Sequence, residues 1–121
     1  CKKRNKLMTL NDFLAQLNAQ PETITFELCQ QIIADNYTYT ASAFNNNGLQ
    51  SNAEQNQGSC KILAFAQLNN LSKEQTLHCF GDYYRIDVVQ YPDNDDHGNI
   101  RTLLKAESSV GAVTFDGTPL Q

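Results

Sequence analysis

The stretch Ile62-Leu63-Ala64-Phe65-Ala66, followed by Leu68, is apolar on nearly every side when wound as a helix, and no other feature of the chain constrains its fold so tightly. A helix on the surface of a domain keeps a polar face. One without such a face has to be surrounded, so Cys60 to Asn69 is expected to be a central rod, opened by Ser59 or Asn56 and closed at Asn69-Asn70. The chain has 121 residues, 40% of them apolar, which is enough for one domain that buries about two-thirds of its unfolded surface without disulfide or metal support. The rod itself is far shorter than the roughly 20 apolar residues that a bilayer crossing requires, so a transmembrane protein is excluded.

Other helices should pack round this rod. Thr9-Leu10-Asn11-Asp12 has the form of a capping box, and Leu10, Phe13, Leu14 and Leu17 follow at helical spacing, predicting a first helix that stops before Pro21. Proline suits a first turn, so a second helix is expected to open at Pro21-Glu22 and to carry Ile24, Leu28, Cys29, Ile32 and Ile33 as far as Asn36. Tyr37 to Thr40 alternates at period two and reads as extended. Asn45 to Gly58, rich in Asn and Gln, reads as one long loop, and long ordered loops are often functional. Ser72-Lys73-Glu74-Gln75 is a second capping box, for a helix with Leu77 and Phe80 that Gly81 interrupts. Tyr83 to Val89 continues as a helical or kinked segment up to Pro92. Asn99 to Leu104 supplies a further short helix, with Asp95 or Asp96 expected as its cap. Ala112 to Phe115, then Asp116-Gly117 and Thr118-Pro119-Leu120, carries the two-residue hairpin signal. The expected fold is α+β, predominantly α: a compact helical domain of five or six helices with a small C-terminal β-hairpin. Whether Tyr37 to Thr40 joins that hairpin is open.

Charge divides the chain unevenly. Four of its nine Lys and Arg fall between Lys2 and Lys6, leaving Lys61, Lys73, Arg85, Arg101 and Lys105 scattered against thirteen acids. A domain that binds phosphate backbones needs clustered cations, so nucleic acid and anionic membrane are excluded as partners of the body. The basic residues 1–7 read as an N-terminal extension ahead of a single domain over 8–121, because Met8-Thr9-Leu10 resembles a natural start. No apolar signal region follows them, and a reducing cytoplasm is the expected location.

Chemistry has few candidates. Cys1, Cys29, Cys60 and Cys79 are widely spaced among apolar neighbours and read as single buried thiols, without a disulfide framework or zinc spacing. Gln57-Gly58-Ser59-Cys60 superficially resembles the approach to a papain-type nucleophile, but Leu63 stands where the reactive cysteine of that family would be. Cys60 itself sits near a helix start, where free amides favour a thiolate, and its possible base is His97 rather than His78, which lies inside a helix beside Cys79. Asp93 to Gly98 resembles a calcium loop in its first, third and sixth places, but His97 takes the fifth and Leu104 the twelfth, where a bidentate Glu is required. No metal and no cofactor are expected. Asp82-Tyr83-Tyr84-Arg85 with Asp87 groups residue types that are enriched in recognition surfaces.

Several strings together resemble the HopJ type III effector family: Asn56-Gln57-Gly58-Ser59-Cys60-Lys61 with Phe65-Ala66, Thr76-Leu77 with Phe80-Gly81-Asp82-Tyr83-Tyr84-Arg85 and Asp87-Val88, His97-Gly98-Asn99-Ile100-Arg101, and Gly111 to Gly117. The resemblance runs from Met8 to about Leu120, with Val110 standing where that family's pattern has a tryptophan. It implies a bacterial protein of a family named for translocation into host cells, one that acts by contact with a protein partner. The candidate binding surface is Asn56, Gly58, Ser59, Lys61, Tyr83, Arg85, Asn99 and Arg101. The alternative is a small enzyme or small-molecule binder with Cys60 as thiol nucleophile and His97 as its base, beside Asn56, Tyr83 and Arg101.

Overall fold

The computed structural model describes residues 8–107 and 110–121; the basic residues 1–7 lie outside it. Helix α1, Leu10–Ala19, starts as its sequence dictates, with Thr9 Oγ1 accepting from the Asp12 amide at 3.0 Å. Pro21 opens only a 3₁₀ turn, Pro21–Thr23, and not the second helix. Helix α2, Phe26–Asn36, begins later because Thr25 is the better cap: its hydroxyl accepts from Leu28 N at 3.0 Å, an option Pro21 cannot offer.

The loop expected over Asn45 to Gly58 is instead a β-hairpin, with β1 over Phe44–Asn46 and β2 over Leu49–Ser51 in antiparallel register. Its turn is Asn47-Gly48, both at positive φ (53° and 101°), the pair of left-handed residues a two-residue hairpin demands. Helix α3, Gln57–Leu68, follows and buries Cys60, Ile62, Leu63, Ala64, Phe65 and Ala66. Phe13 of α1 meets the Phe65 ring edge-on at 5.8 Å, and Tyr37 meets it from another side at 6.0 Å. The apolar rod is therefore enclosed as its composition requires.

Helix α4, Lys73–His78, carries the full capping box of Ser72 and Gln75. Beyond it the chain turns through Gly81 into a π-helical turn, Tyr83–Val88, then through an irregular stretch into α5, Gly98–Lys105. A 3₁₀ turn, Val110–Ala112, precedes β3, Thr114–Phe115. Val110 is buried, and its carbonyl accepts from Gln67 Nε2 of α3 at 3.0 Å.

The fold class is α+β, dominated by helices packed on α3 beside a three-stranded antiparallel sheet of order β2-β1-β3. The C-terminal strand is present, but its partner differs from the expected second hairpin arm: β3 pairs with Phe44 and Asn45 of β1. The chain after Asp116-Gly117 is taken up elsewhere, because Thr38 and Gln121 exchange both backbone bonds, at 2.8 and 3.1 Å, and Tyr39 bridges Leu120. Tyr37 to Thr40 thus does join the C-terminal segment.

Gly81 is fixed by geometry. Its φ is +64°, and a Cβ placed there would lie 2.6 Å from the backbone nitrogen of Phe26. Gly81→Ala is expected to cost more than about 2 kcal/mol of unfolding free energy, since backbone strain and a clash with backbone combine. A urea titration in which the midpoint stayed put would show that α2 yields without cost.

Candidate functional site

Two helix starts face one another across a cleft. Asn56, ahead of α3, and His97, ahead of α5, both adopt left-handed backbone with φ of 53°, and neither side chain caps its own helix. Neither Ser59 nor Asp95 nor Asp96 serves as the cap; the Asp96 carboxylate is held by Arg101 instead. The first intrahelical bonds run from Cys60 N to Asn56 O at 2.9 Å and from Arg101 N to His97 O at 3.1 Å. The N–H groups of Gln57, Gly58 and Ser59 and of Gly98, Asn99 and Ile100 therefore have no acceptor among the described residues, as is inherent in a helix start left uncapped.

The hairpin brings the two starts together. Asn46 of β1 is fully buried, and its Nδ2 donates to the Asn99 carbonyl at 3.0 Å and to Asn99 Oδ1 at 3.1 Å. From β2, Ser51 Oγ accepts from Asn56 Nδ2 at 3.0 Å. The resulting cleft has a volume of ≈ 340 Å³; Phe26, Phe80 and Ile100 supply its apolar lining, while Asn56, Gly58, Ser59, Tyr83, His97, Gly98 and Asn99 supply the rest. Asn99 is only 5% exposed, its Oδ1 is taken by Asn46, and its Nδ2 has no partner among the described residues.

Tyr83 forms one flank. Its ring stands edge-on to Phe26 at 5.2 Å and lies 5.2 Å from the His97 ring. His97 Nε2 is 2.9 Å from Asp87 Oδ2. A carboxylate can only accept, so Nε2 carries the proton and Asp87 fixes the ring. Asp87, Asp96 and His97 offer three ligand atoms within 4.8 Å of one another, donor types that suit a divalent cation. The protein's own cation already occupies this cluster, because Arg101 donates to Asp96 Oδ1 at 2.6 Å.

The structure thus brings together Asn56, Gly58, Ser59, Tyr83, His97 and Asn99, and places four other candidates elsewhere. Lys61 lies over the Tyr39 ring at 4.7 Å. Arg85 donates to the carbonyls of Pro21 at 3.3 Å and Ile24, tying the π-helical turn to the chain before α2. Arg101 is buried behind the cleft and donates to the carbonyls of Asp87, Tyr91, Pro92 and Asp96.

Cys60 is a thiol packed into the core, and its geometry speaks against the alternative of a thiolate nucleophile. Helix α3 begins at Gln57, so Cys60 is a turn in; it is fully buried and donates to the Ser42 carbonyl at 3.7 Å. Burial pushes the thiol pKa up, outweighing the lowering influences of Tyr39, Ser42 and Lys61, and His97 is engaged with Asp87 and Tyr83. Asn46 and Phe26 belong to the site without being candidates in the sequence. The Asn47-Gly48 dipeptide would have placed Asn46 on a strand and so on one face of a sheet.

Two measurements follow from this geometry. Native Cys60 should resist iodoacetamide at pH 8 and react only on unfolding, as read by mass spectrometry; rapid alkylation in the folded state would contradict the burial. Because the unfolded thiol ionises first, the contribution of neutral buried Cys60 to stability is intact below the ordinary thiol range and declines as pH rises through it towards the folded value. Arg101→Lys keeps the charge but loses the planar fork that spans four carbonyls, so amide exchange over residues 91–96 should accelerate, with a stability loss of about 2–4 kcal/mol. Unchanged exchange would mean that the loop is held by other contacts.

The crystal structure of the unknown-function protein VPA0580 is similar over 99% of this chain and 98% of that one, at 42% sequence identity and a TM-score of 0.90. No curated protein matches. The family described as HopJ type III effector protein matches residues 10–120, and the three stretches that line the cleft all lie inside that span. The chain belongs to the HopJ type III effector protein family.

Proposed function

We propose that this HopJ-family chain is a recognition protein, a bacterial effector that grips a partner protein through the cleft between α3 and α5. The family's description supports delivery into a host cell as the setting for that contact. One observation carries the reading: three separated stretches converge on a single cleft whose helix starts present donors with no acceptor among the described residues, beside an apolar lining. Such a site takes an acceptor, such as a peptide carbonyl or carboxylate, with a small apolar group next to it. At ≈ 340 Å³ the cleft lies near the lower end of ligand cavities, which favours a side chain and its backbone over a large cofactor. Asp87 holds the His97 ring in one orientation at the edge of the site, so it serves as a fixed polar wall.

A photo-crosslinking residue at Gln57, exposed beside the cleft, tests this against one at Gln31, exposed on α2. In host-cell extract, position 57 should give a discrete adduct that unlabelled wild-type chain competes away, while position 31 should not. Equal labelling from both positions, or labelling that wild-type chain fails to compete, would overturn the reading.

A further inference from the structure

A second surface lies next to the cleft. Of the six large apolar side chains that are well exposed among the described residues, Leu68 and Leu104 stand apart, while Tyr83 (41%), Ile86 (40%), Val89 (51%) and Tyr91 (54%) come from one short segment. Scattered apolar exposure is ordinary, but concentration in one place marks a contact surface. The inner side of this segment is fixed by Val88, which is buried, by Tyr84, which packs on the core, and by Arg85, whose guanidinium reaches the Pro21 and Ile24 carbonyls. Ile86 and Val89 are therefore on the outer side, and they have no role in the core.

The charges around them have one sign. Asp82 is 3.7 Å from Arg85 with its side chain 74% exposed, and the exposed Asp93 and Asp95 have no ion-pair partner among the described residues. Asp87 and Asp96 face His97 and Arg101. The two arginines of the region are directed inward onto carbonyl oxygens, so what the surface offers outward is apolar side chains within an acidic frame. A second copy of the same face would set acid against acid, and anionic lipid or nucleic acid would be repelled.

We infer that residues 82–96 dock an amphipathic segment of a partner protein in which apolar side chains are flanked by Lys or Arg. The inference rests on the reading of the chain as a recognition protein and adds the chemistry of the partner. Apolar contact supplies affinity there, and the acidic frame speeds and orients encounter.

The test uses the full chain, ¹⁵N-labelled, and two synthetic helical peptides, one built of Leu and Lys and the other of Leu and Glu. The Leu/Lys peptide should shift resonances within 82–96, and its affinity should fall at least tenfold in 0.5 M salt, in Ile86→Ser/Val89→Ser and in Asp93→Asn/Asp95→Asn; the Leu/Glu peptide should not bind. These positions are exposed, and circular dichroism checks that each variant folds. Equal affinity for wild type and variants, shifts mapping elsewhere, or a dimer that Ile86→Ser/Val89→Ser abolishes in the absence of peptide would overturn the inference. None of these outcomes touches the adduct at Gln57, so the docking surface and the cleft reading fail separately.

Discussion

The carboxamide of Asn46 joins the parts of this molecule that matter for recognition. It sits fully buried on a strand three residues long and gives its two protons to the main chain and side chain of Asn99, at the first turn of α5. A buried amide without partners costs about 1–3 kcal/mol, so the hairpin and α5 are held in one relative position by the penalty for separating them. Asn47 adds to this by donating to Asn46 Oδ1 at 2.9 Å, which fixes which way the amide faces. Through Ser51 and Asn56 the same hairpin reaches the start of α3. The cleft is the space left when one small sheet anchors two helix starts side by side.

Those starts are unusual in a related way. A Ser, Thr or Asp cap would close the free amides with a side-chain oxygen, and the chain does this at Thr9, Thr25 and Ser72. At Asn56 and His97 it adopts a left-handed residue and uses the side chain elsewhere, on Ser51 and on Asp87. Giving up a cap costs about 1 kcal/mol, and a non-glycine left-handed residue adds further strain. Both costs fall at the one place where amides line a cleft, which is why the local rule breaks where the site is.

Legibility in the sequence follows how local each interaction is. The enclosed rod, the cap at Thr9, the capping box at Ser72, and the interruption at Gly81 were readable because each depends on residues within one or two turns. The start of α2 was misplaced because Pro21 is a valid first-turn residue in isolation, and only the competing Thr25 hydroxyl moves the boundary. The hairpin was lost in an amide-rich stretch whose strands are too short for period two to register, although Asn47-Gly48 carried the information. The partner of β3 depends on β1, some seventy residues earlier, and no local pattern reports it. Whether the three family strings meet depends on how the helices pack, which no local pattern reports. Cys60 turned on which of two offered starts opens the helix: with Asn56 ahead of the first turn the thiol lies a turn inside α3 and packs in the core.

Arg85 and Arg101 show how the same packing that builds the cleft also shapes the surface beside it. Each is a cation in an acidic chain, and a sequence reading naturally assigns such residues to the surface. Each instead donates to main-chain carbonyls: those of Pro21 and Ile24 before α2 for Arg85 and those of the stretch from Asp87 to Asp96 for Arg101. An irregular segment needs such donors, because its own backbone pairs few of its carbonyls. Once both guanidinium groups are directed inward, the exterior of that segment keeps its carboxylates and its apolar side chains with little to neutralise the former or cover the latter. Tyr83 belongs to both surfaces, lining the cleft with one part of the ring while remaining 41% exposed at the head of the apolar segment. A partner lying along Ile86 and Val89 would therefore pass Tyr83 at the mouth of the cleft, where the free amides of α3 and α5 await an acceptor.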